Sequence, residues 1–165
     1  MAKYLSTKTY GNDRGLSCTF RQWRATHSHC SLLHGYSIGI KLIFESETLD
    51  SRNWVMDFGG LKTFKNWAEH MFDHTTLIAE DDPHLETFKE LDAITGGHDD
   101  MGVMDLRIVP GVGCEAFAEL AYKQMAEFLE EMKEQNGSRY PVGKDVRLVS
   151  VEVFEHSANS AIYQG

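Results

Sequence analysis

Positive charge is scarce in this sequence. Lysine and arginine number 16 against 25 aspartates and glutamates, a formal net charge of −9. A duplex-binding surface needs clustered Lys and Arg. The densest basic groupings here are only Arg21 with Arg24 and Lys62 with Lys65, so nucleic acid is not an expected partner. Long apolar runs are missing too. None reaches the ~20 residues that span a bilayer, so no membrane association is expected. The opening residues, Met1 to Ser6, carry no apolar segment of the secretory type, and a cytoplasmic protein is the expectation. Cysteine is sparse: Cys18, Cys30 and Cys114, with no C-x-x-C pair. An odd, widely spaced set argues against a disulfide framework and against a thiolate zinc site. Each cysteine reads first as a small buried hydrophobe.

What is present is ordinary for a single domain over residues 1–165: 42% hydrophobic and 25% charged, with no repeat or linker. Lys3 to Tyr10 predicts a strand, Gly11 to Gly15 a turn, and Leu16 to Ala25 a second strand, together a hairpin. Tyr36 to Phe44 alternates with period two and predicts one strand. Asn53 to Met56 reads as a tryptophan-bearing strand. Asp57 is a candidate N-cap for a helix ending near Phe72, with Leu61, Phe64, Trp67, Ala68 and Met71 on one face. His84 to Leu91 predicts a short helix, 93–102 a loop, and Met104 to Val109 a strand stopped by Pro110. Cys114 to Lys133 predicts the second long helix. Val146 to Glu155 predicts the last strand, with Val149, Val151 and Val153 facing inward. The order predicts an α+β fold, an antiparallel sheet with helices on one face. The uncovered sheet face invites self-association.

The chemistry concentrates in Thr26 to Tyr36. His27, His29 and His34 fall within eight positions, and imidazole suits zinc, whose catalytic sites take three protein ligands. The plainer reading is a His-rich surface loop. Cys30 lies among them, where a neighbouring metal or base would ionise its thiol; burial is the plainer reading. Asp73 and His74 place a carboxylate beside an imidazole, the usual way to fix a general base in one tautomer. The alternative is an exposed helix end with a dipole-favoured His. Glu155 continues the parity of the inward valines, and a buried carboxylate needs donors. A ligand or a backbone turn can supply them. Glu115 opens the second long helix, where the dipole favours it, and is also placed to meet a ligand.

Taken together, the motifs resemble the 6-pyruvoyltetrahydropterin synthase family, which includes the 6-carboxytetrahydropterin synthases. Trp23-Arg24-Ala25-Thr26-His27 resembles its aromatic-x-Ala-x-His strand end. Cys30-Ser31-Leu32-Leu33-His34-Gly35-Tyr36 resembles its Cys-x3-His-Gly-His signature, with Tyr36 in place of the second His. Trp54 to Lys62 resembles the Val-x-Asp-Phe-x-x-Leu-Lys entry to the first helix, and Phe72 to Leu77 the Leu-Asp-His-x-x-Leu motif. Gly113-Cys114-Glu115 stands at the family's Pro-Thr-Ser-Glu, and Glu155 and Ala161-Ile162-Tyr163 match its C-terminal anchors. The resemblance spans about Cys18 to Tyr163.

The resemblance implies a tunnelling fold (T-fold): a four-stranded antiparallel sheet with two helices on one face. Such chains form homo-oligomeric rings, often hexamers of two stacked trimers, with active sites at subunit interfaces. It implies a zinc-dependent lyase acting on 7,8-dihydroneopterin triphosphate. Cys30, Asp73 and His74 would be catalytic, and Glu155 with Glu115 would hold the pterin. His27 and His34 would bind zinc, with His29 as the third ligand in place of the missing His. The expected product is 6-carboxytetrahydropterin, for 7-deazapurine (queuosine/preQ0) biosynthesis. The alternatives are the 6-pyruvoyl product and a non-catalytic binder of pterins or purines.

Overall fold

The structure, a computed structural model, describes residues 3–165. Their elements run in the order β1 (Tyr4–Tyr10), β2 (Ser17–Phe20), β3 (His34–Ser37), β4 (Gly39–Ser46), α1 (Lys62–Phe72), β5 (Thr75–Ala79), α2 (Leu85–Thr95), β6 (Leu106–Val109), α3 (Cys114–Glu134), β7 (Arg147–His156) and β8 (Asn159–Gln164). The main sheet has the order β1-β4-β7-β8, antiparallel throughout. This is the four-stranded antiparallel sheet expected of the fold. α3 lies across β7 and β8 and packs against α1. Between helices and sheet lies a sealed core that includes Ile40, Leu42, Phe44, Phe117, Met125, Val151 and Val153. No helix among the described residues is long and apolar enough to cross a membrane.

A second sheet, β3-β2-β5-β6, was not anticipated, nor was α2 as a third helix of full length. β2 runs antiparallel to β3 but parallel to β5, and β5 parallel to β6. All five residues of β5 are buried. Such a strand has no alternation to read, because both its faces are covered.

Several expected elements are redrawn. β1 and β2 do not form a hairpin; they belong to different sheets, joined by a short 3-10 turn over Asn12–Arg14. The predicted strand Tyr36 to Phe44 is two strands that part at Ile38, whose amide donates to the Leu16 carbonyl. The chain passes there because Gly39 has no side chain; a Cβ would collide with the Phe154 ring. Asn53 to Met56 is a turn and not a strand, with the Trp54 amide held by Asp50 Oδ1 at 2.9 Å. Asp57 caps, as predicted, but it caps a 3-10 turn (Phe58–Leu61) that leads into α1. β8 is an additional final strand, exposed on alternate residues.

Two bulges in β7 bear on function. Ile43 pairs with Ser150 and Phe44 with Leu148, so Val149 is an extra residue and only half-buried. Leu148, not Val149, faces the core. Further on, Phe154 pairs with Ser160 and His156 with Asn159, which leaves Glu155 without a partner in β8. A bulge of this kind bends a strand and re-aims one side chain.

Candidate active site

The end of β2 is where the chemistry gathers. Phe20 pairs with His34 across β2 and β3. Beyond them the chain turns back through a 3-10 turn, His29–Ser31, capped by Ser28. Cys30 is fixed there by its backbone: its amide donates to Ser28 Oγ at 3.2 Å, and its carbonyl accepts from the Gln22 amide at 2.8 Å. The half-buried thiol opens onto a cleft of about 420 Å³. The same cleft is lined by Gln22, Tyr36, Cys114, Glu115, Glu155 and Asn159. The structure thus brings together three of the predicted residues, Cys30, Glu115 and Glu155, from a loop, a helix start and a strand bulge.

Each wall has a visible cause. Tyr36 stacks on Phe20, with centroids 4.3 Å apart and planes within 15°. Burial, followed by the Glu155 carboxylate, raises the phenol above its ordinary pKa of 10.0, so it stays protonated at neutral pH. Glu155 Oε1 accepts from Asn159 Nδ2 at 3.0 Å. Asn12 steadies the same corner by donating to the carbonyls of Ser37 at 2.6 Å and Glu155 at 3.2 Å. Gly113 enters α3 at φ 106°, where a Cβ would collide with Gln22. Gln22 in turn donates to the Val112 carbonyl at 3.1 Å. Burial, then the charges of Glu155 and Glu115, push the Cys114 thiol to about 11. Cys114 is therefore a neutral wall at physiological pH and not a competing nucleophile. Gln22, Asn12 and Asn159 were not predicted as site residues; Tyr36 was marked by its departure from the signature and expected to stack or hydrogen-bond in a non-catalytic binder.

Asp73 and His74 form their pair, but elsewhere. Asp73 Oδ1 accepts from His74 Nδ1 at 2.6 Å, which leaves Nε2 free as a base. The imidazole is 86% exposed. His74 adopts φ 56°, a left-handed conformation uncommon outside glycine. Its amide donates to the Ser17 carbonyl at 2.6 Å, at the opposite end of β2 from Cys30. Four residues of strand at ~3.3 Å each separate the two groups by more than about 10 Å. Within one chain the dyad does not reach the cleft.

The three histidines are not assembled as a metal set. Among the described residues no group of three or more His, Cys, Asp and Glu is placed to hold a metal ion. His27 and His29 are exposed, and the His29 and His34 rings lie 6.4 Å apart. His34 Nδ1 lies 2.7 Å from the Leu32 carbonyl, which can only accept, so Nδ1 carries the proton. Nε2 is then the acceptor for the Tyr36 hydroxyl. With that lone pair engaged and the phenol protonated, the donors as arranged do not fit a three-imidazole zinc site.

Comparison with known proteins follows the same outline. The chain is 27% identical over 135 residues to a 6-carboxy-5,6,7,8-tetrahydropterin synthase of Aquifex aeolicus, covering 82% of this chain and 75% of that one. An uncharacterized protein from Wolinella succinogenes superposes with a TM-score of 0.74 at 19% identity, covering 99% of both chains. The 6-pyruvoyl tetrahydropterin synthase of Plasmodium falciparum gives a TM-score of 0.63 at 13% identity, covering 100% of this chain and 99% of that one. These structures share the fold. Residues 12–165 match the sequence model described as 6-pyruvoyl tetrahydropterin synthase, and the chain belongs to that family.

Proposed function

We propose that the protein is a 6-carboxytetrahydropterin synthase-type lyase acting on 7,8-dihydroneopterin triphosphate. The observation that carries this reading is the single cleft that joins the Cys30 thiol to the Glu155 carboxylate. A cleft of this size suits a bicyclic ring system. The pterin edge presents an amino group and an adjacent ring N–H, a donor pair that a carboxylate accepts together. Glu155 is placed for this, with one oxygen steadied by Asn159. The pterin side chain would then lie toward Cys30. Conversion to the 6-carboxy product takes up one water, breaks the side-chain carbon–carbon bond and releases acetaldehyde and triphosphate; a proton must leave a side-chain hydroxyl and another must reach the departing carbon. Cys30 is the base for the first. Asp73 and His74 supply the second proton transfer from a neighbouring copy in a ring of subunits, which accords with the exposure of the dyad and its distance from the cleft. The product feeds 7-deazapurine biosynthesis. Zinc content is to be measured on the same protein; binding through His27, His29 and His34 would require the His34–Tyr36 hydrogen bond to open and the three rings to converge.

The test is incubation of the purified protein with 7,8-dihydroneopterin triphosphate, product analysis by mass spectrometry, and metal analysis of the same sample. A 6-carboxy product with acetaldehyde is expected, and a 6-pyruvoyl product would move the chain to the other branch. A second reading is favoured by the His34–Tyr36 pair, which occupies the lone pair that zinc would use: a binder of pterins or purines without turnover. Calorimetric binding of a pterin, with no product even after zinc supplementation, would decide for it.

A further inference from the structure

Among the described residues, those lining the cleft of Cys30 and Glu155 include two carboxylates, Glu115 and Glu155, but no Lys, Arg or His. Like charges disfavour an anionic group inside it. A ligand there is chosen by the hydrogen bonds that its own donors make. Gln22 and Tyr36 are the polar side chains of the lining that neighbour Cys30. The Gln22 amide donates to the Cys30 carbonyl at 2.8 Å, and the Cys30 thiol is among the groups that act on the Tyr36 phenol.

The bonds around these two side chains leave each with an oxygen to offer. His34 Nδ1 gives its proton to the Leu32 carbonyl, so Nε2 can only accept, and the Tyr36 hydroxyl donates to it. With its one proton committed, the phenol oxygen can only accept from a ligand. His34 is absent from the cleft lining and stands behind Tyr36, ring centroids 4.6 Å apart. The stack on Phe20 holds the phenol ring from another side. Gln22 is oriented in the same way. Its Nε2 donates to the Val112 carbonyl at 3.1 Å and packs against Gly113, which leaves Oε1, an acceptor, as the free end.

We infer that Tyr36 and Gln22 determine specificity for a hydroxylated side chain, accepting hydrogen bonds from its hydroxyl groups with no metal ion between. This rests on the pterin reading of the same cleft. With Glu155 on the ring edge, a side chain that extends toward Cys30 meets these two oxygens. Hydroxyl groups satisfy them. A carbonyl in the same place sets oxygen against oxygen, and a methyl group displaces their water without replacing its hydrogen bonds. Tyr36, at the position of the signature's second His, thus contributes a hydrogen-bond acceptor in place of a metal ligand.

The experiment is calorimetric titration of the full chain, in buffer with a chelator. The probes are neopterin, which has a polyhydroxylated side chain, 6-methylpterin, which has no hydroxyl, and 6-formylpterin, whose side-chain oxygen can only accept. Each neutral hydrogen bond is worth a few-fold to about tenfold in affinity. Neopterin should therefore bind roughly tenfold tighter than either of the others. Tyr36→Phe, which keeps the stacked ring, should cut that preference a few-fold, and so should Gln22→Ala. Retained binding of 6-methylpterin shows that the cleft of each variant is intact. Either substitution suffices, so misfolding of one leaves the test in place. Equal affinity for the bound probes overturns the inference and leaves the pterin reading standing. So does a preference that both substitutions leave unchanged, or one that appears only when zinc is restored. No binding of any probe at millimolar concentration removes the pterin reading, and the inference falls with it.

Discussion

The two ends of β2 carry two different kinds of site. At one end, Cys30, Tyr36, Glu115 and Glu155 come from four separate elements and share a cleft. At the other, Asp73 and His74 are sequence neighbours, hydrogen-bonded to each other and open to solvent. The first arrangement exists only because two sheets, a bulge and a helix start have closed around it. The second needs little more than α1 to end at Phe72 and the chain to turn left-handed at His74. The proposed function makes these two regions, a cleft without a nearby acid–base pair and an acid–base pair outside that cleft, halves of one catalytic arrangement. The difference teaches that a single chain positions both and joins neither.

The largest expected effect tests this division. Cys30→Ala should lower kcat by about 10²–10⁴-fold, the range for a positioned base. The melting temperature should hardly move, because backbone bonds hold that turn. His74→Ala should be similarly damaging. Mixing the two inactive proteins under conditions of subunit exchange then decides where the halves meet. Recovered turnover shows that one copy's thiol works with another copy's dyad. A mixture as inactive as its parents would break the comparison and return both roles to one chain.

Phe117→Ala is next in size. Phe117 is sealed from solvent and meets Phe20 edge-on at 5.1 Å and Phe72 at 5.3 Å. Phe20 underlies the cleft and Phe72 precedes the dyad, so one ring supports both regions. Its removal should cost about 3–5 kcal/mol in denaturant melts. A much smaller loss would mean that the two regions are supported separately.

Glu155→Gln sharpens the cleft side alone. It keeps shape and the Asn159 contact but removes the charge. A hydrogen-bonded charge of this kind is worth roughly 10–100-fold, read as kcat/KM for the pterin substrate.

The same contrast explains what could be read in advance. α1 and α3 were legible because one face of each repeats at helical spacing, while the cap expected at Asp57 serves the 3-10 turn ahead of α1. The Asp73–His74 pair was legible because adjacency needs no fold. β5 was not, since Thr75 to Ala79 is buried on both faces and shows no period. The break at Ile38 was hidden inside an unbroken alternation, and only the Phe154 ring against Gly39 exposes it. Glu155 was expected from the parity of Val149, Val151 and Val153, yet Val149 is a bulge residue and Glu155 itself leaves the β8 ladder. Glu155 does line the cleft, but the count that pointed to it is one the backbone does not keep. The convergence of His27, His29 and His34 was read from proximity along the chain, which does not fix side-chain direction.

The smallest effect concerns the strand between the two regions. Cys18 pairs with Tyr36 on one side and with Thr75, next to His74, on the other. Burial, with Cys114 nearby, pushes its thiol from the ordinary 9.0 to about 12. Below pH 9 the folded and unfolded chains both hold this proton, and the thiol adds no pH dependence. Between about 9 and 12 the unfolded chain releases the proton while the folded chain keeps it. The unfolded state then binds fewer protons, so stability must fall as pH rises. A fully buried group would give a slope of at most ~1.4 kcal/mol per pH unit. Cys114 adds to the same trend but is half open to the cleft and screened. Thermal melts from pH 8 to 11 should therefore show a declining midpoint, and Cys18→Ala should flatten it. Parallel curves for the two proteins would mean that the middle of β2 admits water at high pH, so that the strand separating cleft from dyad is looser than its packing indicates.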